Sequence, residues 1–116
     1  MRRWLALAGF VAVMVTATSA RAEMAAKLWL ERYDAAGDGK PVYEIQIRSI
    51  ENGISWVQAS LKTEKTICPP GNLVLQDKQI VSILREASRR NPDIADAPLG
   101  AALFYSLRGV FPCDKR

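Results

Sequence analysis

"PVYEIQIRSIENGISWVQASLK", Pro41 to Lys62, is the stretch that separates an all-helical fold from a mixed one. Tyr43, Ile45 and Ile47 alternate as they would on a half-buried strand. Tyr43, Ile47, Ile50, Ile54, Val57 and Leu61 instead recur at steps of four and three, which gathers them into one stripe along a helix. The alternation ends after Ile47, whereas the helical spacing runs the whole length, so the stretch is read as a helix. Two features work against it. β-Branched residues are frequent between Val42 and Ile54, and Gly53 costs about 1 kcal/mol relative to alanine in a helix interior. A glycine kept at that position points to a second backbone passing close by, or to a kink.

Upstream, "EMAAKLWLERYDAA" is rich in helix formers and predicts a helix over Met24 to Ala35, with Leu28, Trp29 and Tyr33 facing inward. "GDGKP" then reverses the chain. Gly37 and Gly39 tolerate positive φ there, and Pro41 suits a first helical position. Downstream, "CPPGN" at Cys68 to Asn72 cannot continue a helix, because Pro70 has no backbone donor and each proline disfavours α geometry in the residue before it. "LVLQDKQIVSILREASRR" resumes the helical spacing through Leu73, Ile80, Ile83, Leu84 and Ala87, predicting a helix over Gln76 to Arg90. Asn91-Pro92 ends it. Asp96 is placed to cap a last helix that admits Pro98 in its first turn and runs to Gly109, with Leu99, Ala102, Leu103, Leu107 and Val110 inward. The expected architecture is all-α: a small bundle of about four helices around one core.

The first 22 residues read as a leader. Arg2 and Arg3 precede an apolar run from Trp4 to Val15, too short to span a bilayer, and Ala20 and Ala22 supply a small-x-small cleavage site. Cleavage after Ala22 leaves a single domain over 23–116, exported to the periplasm with no stable membrane insertion. Removing Arg2, Arg3 and Arg21 from the 16 basic residues leaves 13 against 12 acidic ones, with both signs interspersed. That balance leaves no electrostatic footprint for nucleic acid. Cys68 and Cys113 are the two cysteines, and an oxidising compartment pairs them. Closing a loop of that length stabilises the fold by about 4 kcal/mol in the chain-entropy model.

Chemistry by side chains is poorly provided for. The chain has no histidine, no nucleophile elbow, no phosphate-binding glycine pattern, and its carboxylates are scattered. No enzyme and no cofactor are expected, and two cysteines without histidine cannot complete a zinc site. Trp29 and Trp56 lie in amphipathic helices, where a core role is the ordinary reading. Trp56, beside Gln58 and away from the Ile50, Ile54, Val57 stripe, is placed for partial exposure, and on the outer face it would be an interface anchor.

Thr66 to Cys113 resembles the Rap/Tai family of immunity proteins against type VI secretion effectors. The resemblance is carried by the Ile-Cys-x-Pro loop at Ile67 to Pro70, Gln79, the Asn91-Pro92 break and the terminal Phe-Pro-Cys at Phe111 to Cys113. "IENGISWVQA" is more loosely similar to the glycine-bearing helix of that family. Many members carry a second cysteine pair, at positions that fall near Tyr33 and Ile47, where this chain has no thiol. The resemblance implies a small, helical, exported toxin inhibitor whose loop cysteine is linked to the terminal one. Its partner would be a peptidoglycan amidase delivered into the periplasm, blocked by a protruding surface, often of a homodimer. The contact surface is expected at the helix end and turn that gather Arg85, Arg89, Arg90, Asn91, Asp93 and Asp96, arginine being enriched at interfaces. The alternatives are a periplasmic acid-stress chaperone of the HdeA type, also helical with one disulfide, or another small envelope protein.

Overall fold

The structure, a computed structural model, describes residues 23–114. The leader expected over 1–22 lies outside the described residues. Five helices follow in order: α1 (Ala26–Ala35), α2 (Lys40–Ser60), α3 (Asp77–Arg90), α4 (Pro92–Asp96) and α5 (Leu99–Val110), with a single 3-10 turn at Gly37–Gly39 joining the first two. The all-α expectation is met, and Pro41 to Lys62 is helical almost throughout. Among the described residues the only extended pairings are two isolated bridges, Ala25 with Pro98 and Ile67 with Pro112. No described helix is long and apolar enough to cross a membrane.

Trp29 from α1, Ile47 from α2, Ile80 and Leu84 from α3, and Leu99 and Leu103 from α5 form the fully buried centre. Each comes from the apolar stripe of its helix, and burying one such side chain contributes roughly 1.5–3 kcal/mol. Trp29 stacks on Tyr33 with ring centroids 5.4 Å apart, and Tyr43 meets both rings edge-on. Trp29 Nε1 donates to Gln46 Oε1 at 2.8 Å, so its polar edge is satisfied inside the core.

Several expectations need correction. Leu28 is exposed because α1 turns Ala26, Trp29, Leu30 and Tyr33 inward, and Leu28 stands about 100° away from Trp29 on the helical wheel. Val57, between the half-buried Ile54 and Leu61, and Val110, one turn past the buried Leu107, are also exposed, and Leu73 sits in a surface loop. Gly37 takes the left-handed region at φ 54°, but Gly39 is ordinary helical backbone at φ −82°. A Cβ on Gly53 would meet nothing within 4 Å, so no backbone of this protomer passes close to it.

The segment expected as a simple break is a short helix. Asn91 Oδ1 accepts from the Asp93 amide at 3.0 Å and caps α4. Asp96 ends α4 instead of capping the next helix. That role falls to Glu23, whose Oε2 accepts from the Gly100 amide at 3.0 Å, since Pro98 at the N-cap offers no side-chain acceptor. A Cβ on Gly100 would come 2.9 Å from the Glu23 carboxylate, which would have to shift to make room for it. Residues 24–26 are bound to the same corner, with Ala26 N donating to Ala97 O and Leu99 N donating to Met24 O, both at 3.0 Å.

Candidate partner-binding surfaces

α3 separates two surfaces that could meet a partner. At its C-terminal end lie the residues singled out from the sequence, and the structure does bring them together, although largely in pairs with one another and with their surroundings. Arg85 grips Asp34 through both guanidinium nitrogens at 2.7 and 2.8 Å. Arg89 and Arg90 both reach Glu86, at 2.6 and 2.8 Å. Asp96 binds Lys27 at 2.7 Å, and Asn91 caps α4 through the Asp93 amide. The Arg85 fork holds the Asp34 carboxyl below the usual carboxylate range, and Arg89, with Arg90 behind it, does the same to Glu86. The Asp96 carboxylate raises the Lys27 ammonium. These are solvent-facing pairs, screened by water and salt, and each contributes little to stability.

The N-terminal end of α3 is entered from a different kind of surface. Residues 61–76 have no regular structure, and an ordinary loop of that length would be mobile. Three sets of contacts restrain it. The Cys68–Cys113 disulfide joins it to the segment after α5, with Cα atoms 4.9 Å apart across 45 residues of sequence. Beside the disulfide, Cys68 N donates to Phe111 O at 2.8 Å. From α2, the Gln58 side chain accepts from the amides of Thr66 and Ile67 at 3.0 and 3.2 Å and donates to Thr66 Oγ1 at 3.2 Å. Arg48, also from α2, pairs with Asp77 and donates to Leu75 O at 2.6 Å, fixing the loop where it becomes α3. Gln79 Oε1 then accepts from the Gln76 amide at 2.7 Å, closing the first turn of that helix.

Under the loop lies a cavity of about 380 Å³ lined by Ile54, Gln58, Ile67, Leu73, Leu75 and Leu107, among others. Two of its lining residues are also open to solvent, Val74 at 72% exposed and Leu73 at 42%. Apolar side chains are thus displayed on backbone that the disulfide and two α2 side chains immobilise. Neither Gln58 nor Arg48 stood out in the sequence. Each polar residue interrupts or flanks an apolar stripe, which is the available signal, but its partner lies across a loop whose path the sequence does not reveal.

Among the described residues, no group of three or more histidine, cysteine, aspartate or glutamate side chains is arranged to hold a metal ion. Ser106 is the single buried polar residue there, and its hydroxyl donates to the Ala102 carbonyl of its own helix at 2.6 Å. Tyr33 is held in its neutral form by burial and by donating to Glu44 Oε1 at 3.0 Å. No family model, no curated protein and no solved structure matches the chain.

Proposed function

We propose that the protein is an exported, immunity-type inhibitor that binds a peptidoglycan amidase effector of a type VI secretion system and covers its substrate groove. One observation carries the reading: exposed Leu73 and Val74 stand on an irregular loop restrained by a disulfide, Gln58 and Arg48. An inhibitor that works by shape gains most from such an arrangement, because a loop ordered before contact loses little further entropy on binding. The disulfide fits an oxidising compartment such as the periplasm. Leader removal after Ala22 would leave Glu23 as the first residue, already engaged at the start of α5.

An acid-opened chaperone would draw its trigger from carboxylates that are ionised and paired in the folded state, most strongly where they are buried, and that lose those partners on protonation. Here no acidic residue is among the buried described residues, and the shifted carboxylates Asp34 and Glu86 are held low by arginines at the surface. Binding by shape is therefore the better-supported class.

The test is inhibition of peptidoglycan cleavage by an amidase encoded beside this gene. Equimolar protein should abolish cleavage, and Val74→Asp should weaken the complex by about tenfold or more, as loss of an interface anchor does. Arg89→Glu with Arg90→Glu probes the other end of α3. If that pair abolished inhibition and Val74→Asp did not, the contact would move to the charged end. Absence of any complex would sink the reading.

A further inference from the structure

The cavity beneath the loop at 61–76 has walls of two kinds. Part of its lining belongs to the core: Ile67 and Leu107 are buried, and Ile54, Leu75 and Phe111 are partly buried against it. The rest carries the groups that hold the loop, since Gln58 and Arg48 both line the space and Cys68 stands between the lining residues Ile67 and Pro69. The loop is therefore fixed around about 380 Å³ of open space, and the same bonds restrain it from settling onto the apolar side chains there. A preformed, largely apolar space of this size with a few polar groups in its walls is the form that small-molecule sites take.

Two cations line the cavity, and they differ in what they are already doing. Arg48 is committed to Asp77 and to the Leu75 carbonyl. Lys65 is exposed and forms no ion pair with any described residue. Glu51, the one carboxylate of the lining, accepts from the Ser55 hydroxyl at 2.9 Å. We propose that the cavity binds a linear acyl chain ending in a carboxylate, with the chain against Ile54, Leu75, Leu107 and Phe111 and the carboxylate paired with Lys65. A lysine suits the mouth of an apolar site, because its flexible stem packs along apolar surface while the ammonium stays at the water boundary. Asn52 adds a carboxamide donor to the same lining.

The space also sets the length of the ligand. A methylene takes up slightly less room than the roughly 30 Å³ share of one water, so the cavity accommodates a chain of about twelve carbons. Each methylene buried raises affinity about three- to fourfold, and the gain stops once the space is full. The site stands whether or not the protein partner of the loop is an amidase.

Calorimetric titration of the oxidised protein with straight-chain carboxylates from hexanoate to tetradecanoate tests the proposal. Decanoate should bind one molecule per chain with a Kd no higher than about 1 mM, and should slow amide exchange at Thr66 to Leu75. Affinity should climb with chain length and level off near about twelve carbons. Decylamine, with the same chain and the opposite charge, should bind more weakly by about tenfold, and Lys65→Glu should reverse that order. Ala59→Trp, at an exposed lining position, should fill the space and weaken decanoate by about tenfold, with thermal unfolding confirming that each variant folds. Phosphatidylglycerol vesicles offer similar chains locked in a bilayer and should not displace decanoate; displacement would assign the site to membrane lipid and overturn the free acyl carboxylate. No saturable binding at about 1 mM, or binding that both variants leave unchanged, would overturn the site. Affinity still rising at tetradecanoate would mark adsorption to the open surface and overturn it too.

Discussion

At the first turns of α2, Tyr43 lies edge-on to the stacked Trp29 and Tyr33 rings, whereas between Glu51 and Ser60 no residue of the same helix is fully buried. One half of the helix is held by apolar packing, the other by a disulfide-linked loop and a few polar side chains. The difference follows from what surrounds each half. α1 covers the first half and supplies large aromatic surface, while the second half, beside its partial packing against α5, borders irregular chain whose backbone amides need acceptors. Gln58 supplies those acceptors, and the Cys68–Cys113 bond keeps the segment from drifting away. Where there is little surface to bury, covalent and directional bonds take over.

The most severe way to break this contrast is Trp29→Ala. It should cost about 3–5 kcal/mol, the range for removing a buried aromatic, and it also removes the donor to the Gln46 side-chain oxygen. Chemical denaturation should show one cooperative transition shifted to lower denaturant, because the aromatic end is part of the single core. Replacing Cys68 and Cys113 together with alanine should cost about 4 kcal/mol by the chain-entropy model. Its local signature differs. Amide exchange should accelerate first at Thr66 to Leu75 and at Phe111, with α3 and α5 amides still protected; uniform acceleration would show that the two ends are not separable.

Gln58→Ala should sharpen the comparison without destroying the fold. Losing the acceptor for two part-buried amides costs about 1–2 kcal/mol, and faster exchange at Thr66 and Ile67 would locate the effect. Gln58→Glu keeps the acceptor and should recover most of that protection.

Acidification should act least, and at the charged surfaces. Asp34 and Glu86 are held below the ordinary carboxylate range by their arginines, so their contribution is fully present above that range and is lost as pH falls through their lowered folded values. Because both pairs are exposed, urea midpoints between about pH 6 and pH 4 should barely move, with the decline confined to lower pH. Apolar dye binding that rose steeply near pH 4 would instead point to an acid-opened surface.

Much of this architecture could be read from residue spacing. The stripe through Tyr43, Ile47, Ile50 and Ile54 outweighs three alternating positions, and the chain around it is helical as that reading requires. Trp29, Ile80, Leu84, Leu99 and Leu103 are buried as their spacing predicts. The failures sit where a stripe outruns its neighbours. Val57 and Val110 continue a pattern at places where their neighbours cover them only in part, and Leu28 is apolar on a face that meets water. Composition cannot reveal where a neighbouring helix ends. The same holds for Asp96, whose local spacing fits a cap but whose nearest long-range partner is Lys27.

Periodicity, proline placement and the cysteine count were sufficient by themselves for a helical bundle tied between Cys68 and Cys113, because each follows from local geometry or from the chemistry of two thiols. Only tertiary structure decided that Gln58 and Arg48 hold the loop and that Glu23 replaces Asp96 at the start of α5. Those outcomes depend on distances between segments far apart in the chain, which are set by how the helices pack against one another and not by the residues on either side.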